Sequence, residues 1–171
     1  MARYATTEAG LVRVLDRRIG RWAHAAGTEG TEPDLVAAGV AAARAAARTV
    51  ARALVQSGVV DDAAFAGSRA RSLTRAGRSR RAVGAHLASK GVAHAVAQAA
   101  MPEPDAELAA ALAYARRRRL GPFRLQDGDE DTRRRELGAM ARAGFPQPIA
   151  QQALRMDPDE ALALVMALKA G

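Results

Sequence analysis

The side chains able to do chemistry in this 171-residue chain are three His, 18 carboxylates and 26 Lys and Arg, and their spacing decides what chemistry is open. The densest acidic run is Asp127-Gly-Asp-Glu-Asp131. A calcium-binding helical hairpin needs a bidentate Glu eleven residues after the first Asp, and Gly138 stands there, so calcium is rejected and Asp131 reads as a helix cap. His24, His86 and His94 have no nucleophile or metal-ligand pattern around them, and the absence of Cys removes thiolate metal sites and disulfides. No Gly-rich, phosphate-cradling motif of the Walker type occurs. The residues predict no enzyme, no metal and no cofactor, which leaves the cations.

Those cations are concentrated. Between Leu35 and Pro102, ten Lys and Arg face only Asp61 and Asp62, so the whole net charge of +8 belongs to the middle of the chain while the remainder balances, 16 basic against 16 acidic. A field so localised points to a polyanionic partner, either nucleic acid or an acidic protein groove. The plainer reading is that Arg keeps Ala-rich helices soluble.

The elements that carry the charge are helical throughout. Alanine supplies 44 residues and aromatics only six, so strong helix formers with little surface to bury predict helices packed on thin seams. Leu11, Leu15, Ile19 and Trp22 predict an amphipathic helix from Glu8 to Ala26, followed by a flexible connection from Gly27 to Pro33. From Asp34 to Ser57, Val36, Val40, Ala43, Ala47, Val50 and Leu54 form one stripe, and Arg44, Arg48 and Arg52 line another face, either solvated or tracking phosphates. Asp61 caps a helix bearing Phe65 and Leu73, Gly77 permits a turn, and Ser79 caps a second helix bearing Val83 and Leu87 that Gly91 ends. Short helices are expected from Ala93 to Met101, Thr132 to Ala143 and Pro146 to Met156. The helix from Asp105 to Leu120 runs from acids to Arg116–Arg119 as the helix dipole favours, and four consecutive arginines cannot share a face, so at least one should brace a neighbour. Asp157-Pro158-Asp159-Glu160 starts a last helix. No run of 18 apolar residues and no signal-peptide core occur, which predicts a cytoplasmic protein.

An internal repeat runs through these elements. Leu54, Leu87 and Met140 stand four residues before Gly58, Gly91 and Gly144, and Val59, Val92 and Phe145 follow directly. Val96 and Ile149, then Met101 and Leu154, extend the match for the last two, as tandem helical modules would.

Leu54-x-x-x-Gly58-Val-Val-Asp-Asp-x-x-Phe65-Ala66, Gly77-Arg-Ser-Arg-Arg81, Leu87-Ala-Ser-Lys-Gly91-Val92, Ala115-Arg-Arg-Arg-Arg-Leu-Gly-Pro-Phe-Arg124 and Arg142-Ala-Gly-Phe145 occur in this order. In these the chain resembles the RecX regulatory family. The resemblance implies an all-α, elongated, curved array of tandem three-helix repeats. Residues 1–57 would form a shortened first repeat, 58–102 the second, 103–157 the third, and 158–171 an added C-terminal helix. It implies a non-catalytic regulator that binds the RecA recombinase, chiefly its filament on single-stranded DNA, and restrains recombination, ATP hydrolysis and co-protease activity, in DNA repair and the SOS response. Direct contact with single-stranded DNA would be weak and sequence-independent; no membrane partner is implied and a monomer is expected. Within the matched segments, charge selects Arg69, Arg71, Arg75, Arg78, Arg80, Arg81 and Lys90 as a central contact set, and Arg116, Arg117, Arg118, Arg119 and Arg124 as a second.

Two other functions compete. The helix from Ser79 to Lys90, with Arg80 and Arg81 near its start, offers a recognition helix for an autonomous DNA-binding protein, but the chain has no Asn and this helix no Gln, so the side chains that read adenine are lacking. A helical-repeat adaptor for some other acidic protein is the third. A fully buried Phe65 would cost roughly 3 to 5 kcal/mol on truncation to Ala.

Overall fold

The computed structural model describes residues 6–170, which form nine α-helices and no strand. They are α1 (Glu8–Thr28), α2 (Pro33–Gln56), α3 (Asp62–Arg75), α4 (Arg80–Ser89), α5 (His94–Ala99), α6 (Asp105–Arg118), α7 (Glu130–Arg142), α8 (Gln147–Arg155) and α9 (Pro158–Ala170), with a 3-10 turn at Gly121–Phe123. The chain divides into two compact units. The first holds the described residues up to Phe65 together with Lys90–Ala93; the second holds Ala66–Ser89 and the described residues from His94 onward.

Most helix starts obey the local chemistry. Asp61 accepts from the Ala64 N–H at 2.8 Å, Ser79 from Ala82 at 3.2 Å, and Asp157 from Asp159 at 2.9 Å. Asp131 does not cap. Asp129 takes that place, accepting from the Thr132 N–H at 2.8 Å, and α7 begins at Glu130, so Asp131 sits inside the first turn. The acidic run offers several possible caps, and the helix starts two residues earlier than expected. Thr132, first through its hydroxyl and then through this N–H, holds the Asp129 carboxyl below its ordinary value. The connection after α1 is shorter than expected too, because the helix runs on through Gly27 and Thr28.

In the first unit α1 and α2 form an antiparallel hairpin. The Trp22 ring lies on Gly39, where a Cβ would come within 2.6 Å of it, and Asp16 pairs with Arg44 at 2.7 Å. The seam is thin, as an Ala-rich sequence requires: Ala26, Ala47 and Ala51 are the buried residues of these helices. Val50, expected on the inward stripe, is exposed, because the stripe of α2 that meets α1 is centred on Ala47 and Ala51. Thr7 fastens the start of α1, accepting from the Gly10 N–H at 2.9 Å and donating to the Lys90 carbonyl at 2.7 Å, while Glu8 N–H donates to Asp62 at 2.9 Å. Phe65 is half-buried, so its truncation removes less than a full core contact.

The second unit has a true core around α6. Ala110, Ala111, Leu112, Met140, Phe145, Ala150, Ala153, Ala161 and Val165 are buried together, drawn from α6 to α9. The repeat is visible in the burial pattern: Leu87 and Met140 are fully buried, and Val92 and Phe145 nearly so. At Gly58 the pattern shifts by one residue. Phe145 N–H closes its turn on the Met140 carbonyl five residues back, whereas Val60 N–H reaches six back to Leu54, so Val60 is buried and Val59 is exposed.

Candidate partner-binding face

The arginines of α3 and α6, far apart in sequence, are brought together in the second unit by two contacts. The turn between α3 and α4 passes directly against the α6 backbone at Gly77, where φ is +74° and a Cβ would lie 2.7 Å from the Tyr114 nitrogen. Only glycine fits both the left-handed conformation and that spacing. One turn further along α6, Arg117 donates to the Ala76 carbonyl at the end of α3. A guanidinium there meets a carbonyl that the helix leaves without an intrahelical partner and opposes the negative end of the helix dipole. This is the brace that the run of four arginines predicted.

The result is a basic surface where the ends of α3 and α6 meet, while Arg69 and Arg71, two residues apart, flank the buried Ala70 on opposite sides of α3. Arg69, Arg71, Arg75 and Arg78 on α3 and its turn, and Arg116, Arg117, Arg118 and Arg119 at the end of α6, are all exposed. Among the described residues the side-chain ion pairs engage Arg44, Arg124, Arg133 and Arg134, and none of these eight. Arg119 closes α6 in the left-handed conformation, at φ 56° and ψ 50°, which places it beyond the helical register of its neighbours. Tyr114, which sequence reasoning passed over, underlies the face: the Arg117 and Arg118 guanidinium carbons stand 5.6 and 5.9 Å from its ring centroid, and its ring meets Phe145 at 5.6 Å. Cation–π contact on a ring anchored in the core holds both arginines over one spot. Its signal in the sequence is the spacing of three and four residues from Tyr114 to Arg117 and Arg118.

Four expected contact residues are placed differently. Arg80 turns its guanidinium to the Pro102 carbonyl and is half-buried. Arg124 is spent on Glu136, donating from Nε at 3.1 Å and Nη2 at 2.8 Å. Arg81 is exposed but lies over Gly144, lining a cleft of about 570 Å³ with Phe145, Pro146 and Ile149. Lys90 belongs to the first unit, where its carbonyl takes Thr7 and Arg13.

Two buried carboxylates organise the scaffold behind this face. Glu136 accepts from Arg124 and from the Gly121 N–H at 3.1 Å. Glu107 accepts from the Arg80 N–H at 2.9 Å and so sits at the start of α4 beside the Ser79 cap, while Ser79 donates to the Ala143 carbonyl at 2.8 Å. Burial pushes the Glu107 carboxyl up from its ordinary value of 4.5, against the opposing pull of the Arg80 N–H and charge. A raised carboxyl holds its proton in the folded state where the unfolded chain has lost it, so stability falls as pH rises from about 4.5 through the folded value. Glu107→Gln removes that slope. The urea midpoint of the parent relative to the Gln variant is expected to fall between pH 4 and pH 7; a pH-independent difference would mean that burial does not govern Glu107.

Among the described residues no cluster of His, Asp and Glu is placed to hold a metal, and no helix is long and apolar enough to cross a membrane.

The fold and the face together define a class: an all-α protein of helical repeats that presents a charged, scaffolded surface. Residues 61–101 match the family description "RecX, second three-helix domain". The chain is 37% identical over 162 residues to "Regulatory protein RecX" of Myxococcus xanthus (strain DK1622), spanning 92% of this chain and 81% of that one. It is 39% identical over 102 residues to "Regulatory protein RecX" of Agrobacterium fabrum (strain C58 / ATCC 33970), spanning 60% of this chain and 55% of that relative. No solved structure matches. The chain belongs to the RecX family.

Proposed function

We propose that this chain is a non-catalytic regulator that binds the RecA recombinase on single-stranded DNA and restrains its recombination, ATPase and co-protease activities. The curated relatives are regulatory proteins by name, and the observation that carries the reading is the Arg117 contact with Ala76, which brings the arginine-rich ends of α3 and α6 together without a carboxylate ion pair to them among the described residues. The face suits acidic protein surface, exposed phosphates, or both. Arg69, Arg71, Arg75, Arg78 and Arg116–Arg119 are its centre, Arg81 flanks it, and Arg80 and Arg124 hold the scaffold. The repeats at 58–102 and 103–157 supply this surface, and the protein works as a monomer in the cytoplasm.

Support for an autonomous DNA reader on α4 is weaker. Glu107 already accepts from the Arg80 N–H at the start of that helix, so this donor is not free for a phosphate.

The test is the ATPase rate of a matched RecA on single-stranded DNA, titrated with this protein beside bare DNA at several salt concentrations. Inhibition is expected at concentrations too low to coat the DNA. Changing Arg75, Arg78 and Arg81 together to Ala is expected to weaken inhibition at least about tenfold with helix content unchanged, since tenfold corresponds to only about 1.4 kcal/mol over three cations. If all three touch phosphates, the salt slope of binding falls by about 2, at roughly 0.7 per contact on a single strand. Undiminished inhibition by the triple variant would place the contact elsewhere.

A further inference from the structure

The hairpin of the first unit carries an exposed apolar stripe that its own two helices do not cover. Trp22 on Gly39 marks one edge of the α1–α2 seam, and the Asp16–Arg44 pair marks the other. Three helical turns from Trp22 stands Leu11, and three turns from Gly39 stands Val50, so the antiparallel register sets Leu11 across from Val50 on the Trp22 edge. Val14 falls on the outer side of the same stripe. Val14, Trp22 and Val50 are 52%, 49% and 51% exposed, in a unit whose helices bury little beyond alanine.

Charge and shape say what fits there. Arg18 lies in the stripe one turn from both Val14 and Trp22, and Arg21 lies two turns from Val14 on its outer side, so the α1 side is apolar with exposed cations set into it. The α2 side offers Val50 and small alanines, with Gly39 already taken by the Trp22 ring. A second copy of this chain docking by the same patch would bring cations against cations, because a two-fold contact pairs the patch with itself and its charged residues, Arg18 and Arg21, are both basic. We propose that this stripe docks an amphipathic helix with acidic flanks from another protein, in the manner of a helix laid into a groove, its apolar side on Val14, Trp22 and Val50 and its carboxylates on Arg18 and Arg21. The site is built from α1 and α2 of the first unit alone and does not depend on what the basic surface of the second unit binds.

Trp22 is the only Trp of the chain, so its emission reports the site directly. The probe is an 18-residue helical peptide with Leu at spacings of three and four and Glu on both flanks, titrated into the full-length protein in the absence of any recombinase or DNA. Saturable binding with a blue shift of Trp22 emission is expected, weakened at least tenfold by Val14→Ser with Val50→Ser, and likewise by Arg18→Glu with Arg21→Glu; both pairs are surface changes that keep the helices. The same peptide with Lys in place of Glu should bind at least tenfold more weakly. No binding of the acidic peptide, or equal binding of the Lys version, overturns the proposal. So does a blue shift that grows with protein concentration alone and sediments as a dimer, which would assign the stripe to a second copy.

Discussion

Arg124→Ala is expected to destabilise the second unit by about 3–5 kcal/mol, the loss that follows when a buried ion pair is left with one partner. Glu136 is 5% exposed, and Arg124 supplies two of the three hydrogen bonds the structure gives its carboxylate; only the Gly121 N–H would remain. The penalty comes from stranding the carboxylate rather than from the worth of the pair. Accordingly Arg124→Met combined with Glu136→Leu should recover most of the loss, since an apolar replacement needs no counter-charge. Urea unfolding followed by circular dichroism measures both. A single variant within about 1 kcal/mol of the parent would make the pair an ordinary surface contact.

Leu112→Ala is the second large effect, at about 3–5 kcal/mol, because the side chain is fully buried on α6 and its neighbours come from α6 to α9. Such a cavity has no counterpart in the hairpin of α1 and α2, whose buried residues are already alanines. Trp22→Ala, at a half-exposed ring, should therefore cost less than Leu112→Ala in the same unfolding experiment. Equal costs would show that the Trp22 stripe carries the hairpin's stability.

What the sequence revealed, and what it withheld, follows from the range of the interactions. Asp61, Ser79, Asp157 and Gly91 act on backbone within a few residues of themselves, so their roles could be read locally and the structure bears them out. Asp129 and Asp131 differ by two positions in a run of acids, and nothing local separates them. The all-α fold and the family were carried by ordered motifs, which survive without knowledge of packing. Glu107 and Glu136 were missed because their partners are distant in sequence, yet each left a trace: Glu107 shares a stripe with the buried Ala111 and Ala115, and Glu136 with Met140. An acid on an inward stripe asks for a donor. The same limit explains Arg80 and Arg124, which charge within the matched segments grouped with the exposed arginines and whose guanidinium partners, Pro102 and Glu136, are distant in sequence. The joining of α3 to α6 needed Gly77 to be seen against Tyr114, a contact across more than thirty residues.

The brace at Ala76 and the close approach at Gly77 assemble the basic face before any partner arrives, so the ordering entropy is spent in folding and not at the encounter. The cost is self-repulsion, since cations gathered without counter-charges press against one another in the free protein. Salt then acts with opposite signs on the two states of the same surface. It screens that repulsion and firms the free fold, while it competes with every anion the face would hold.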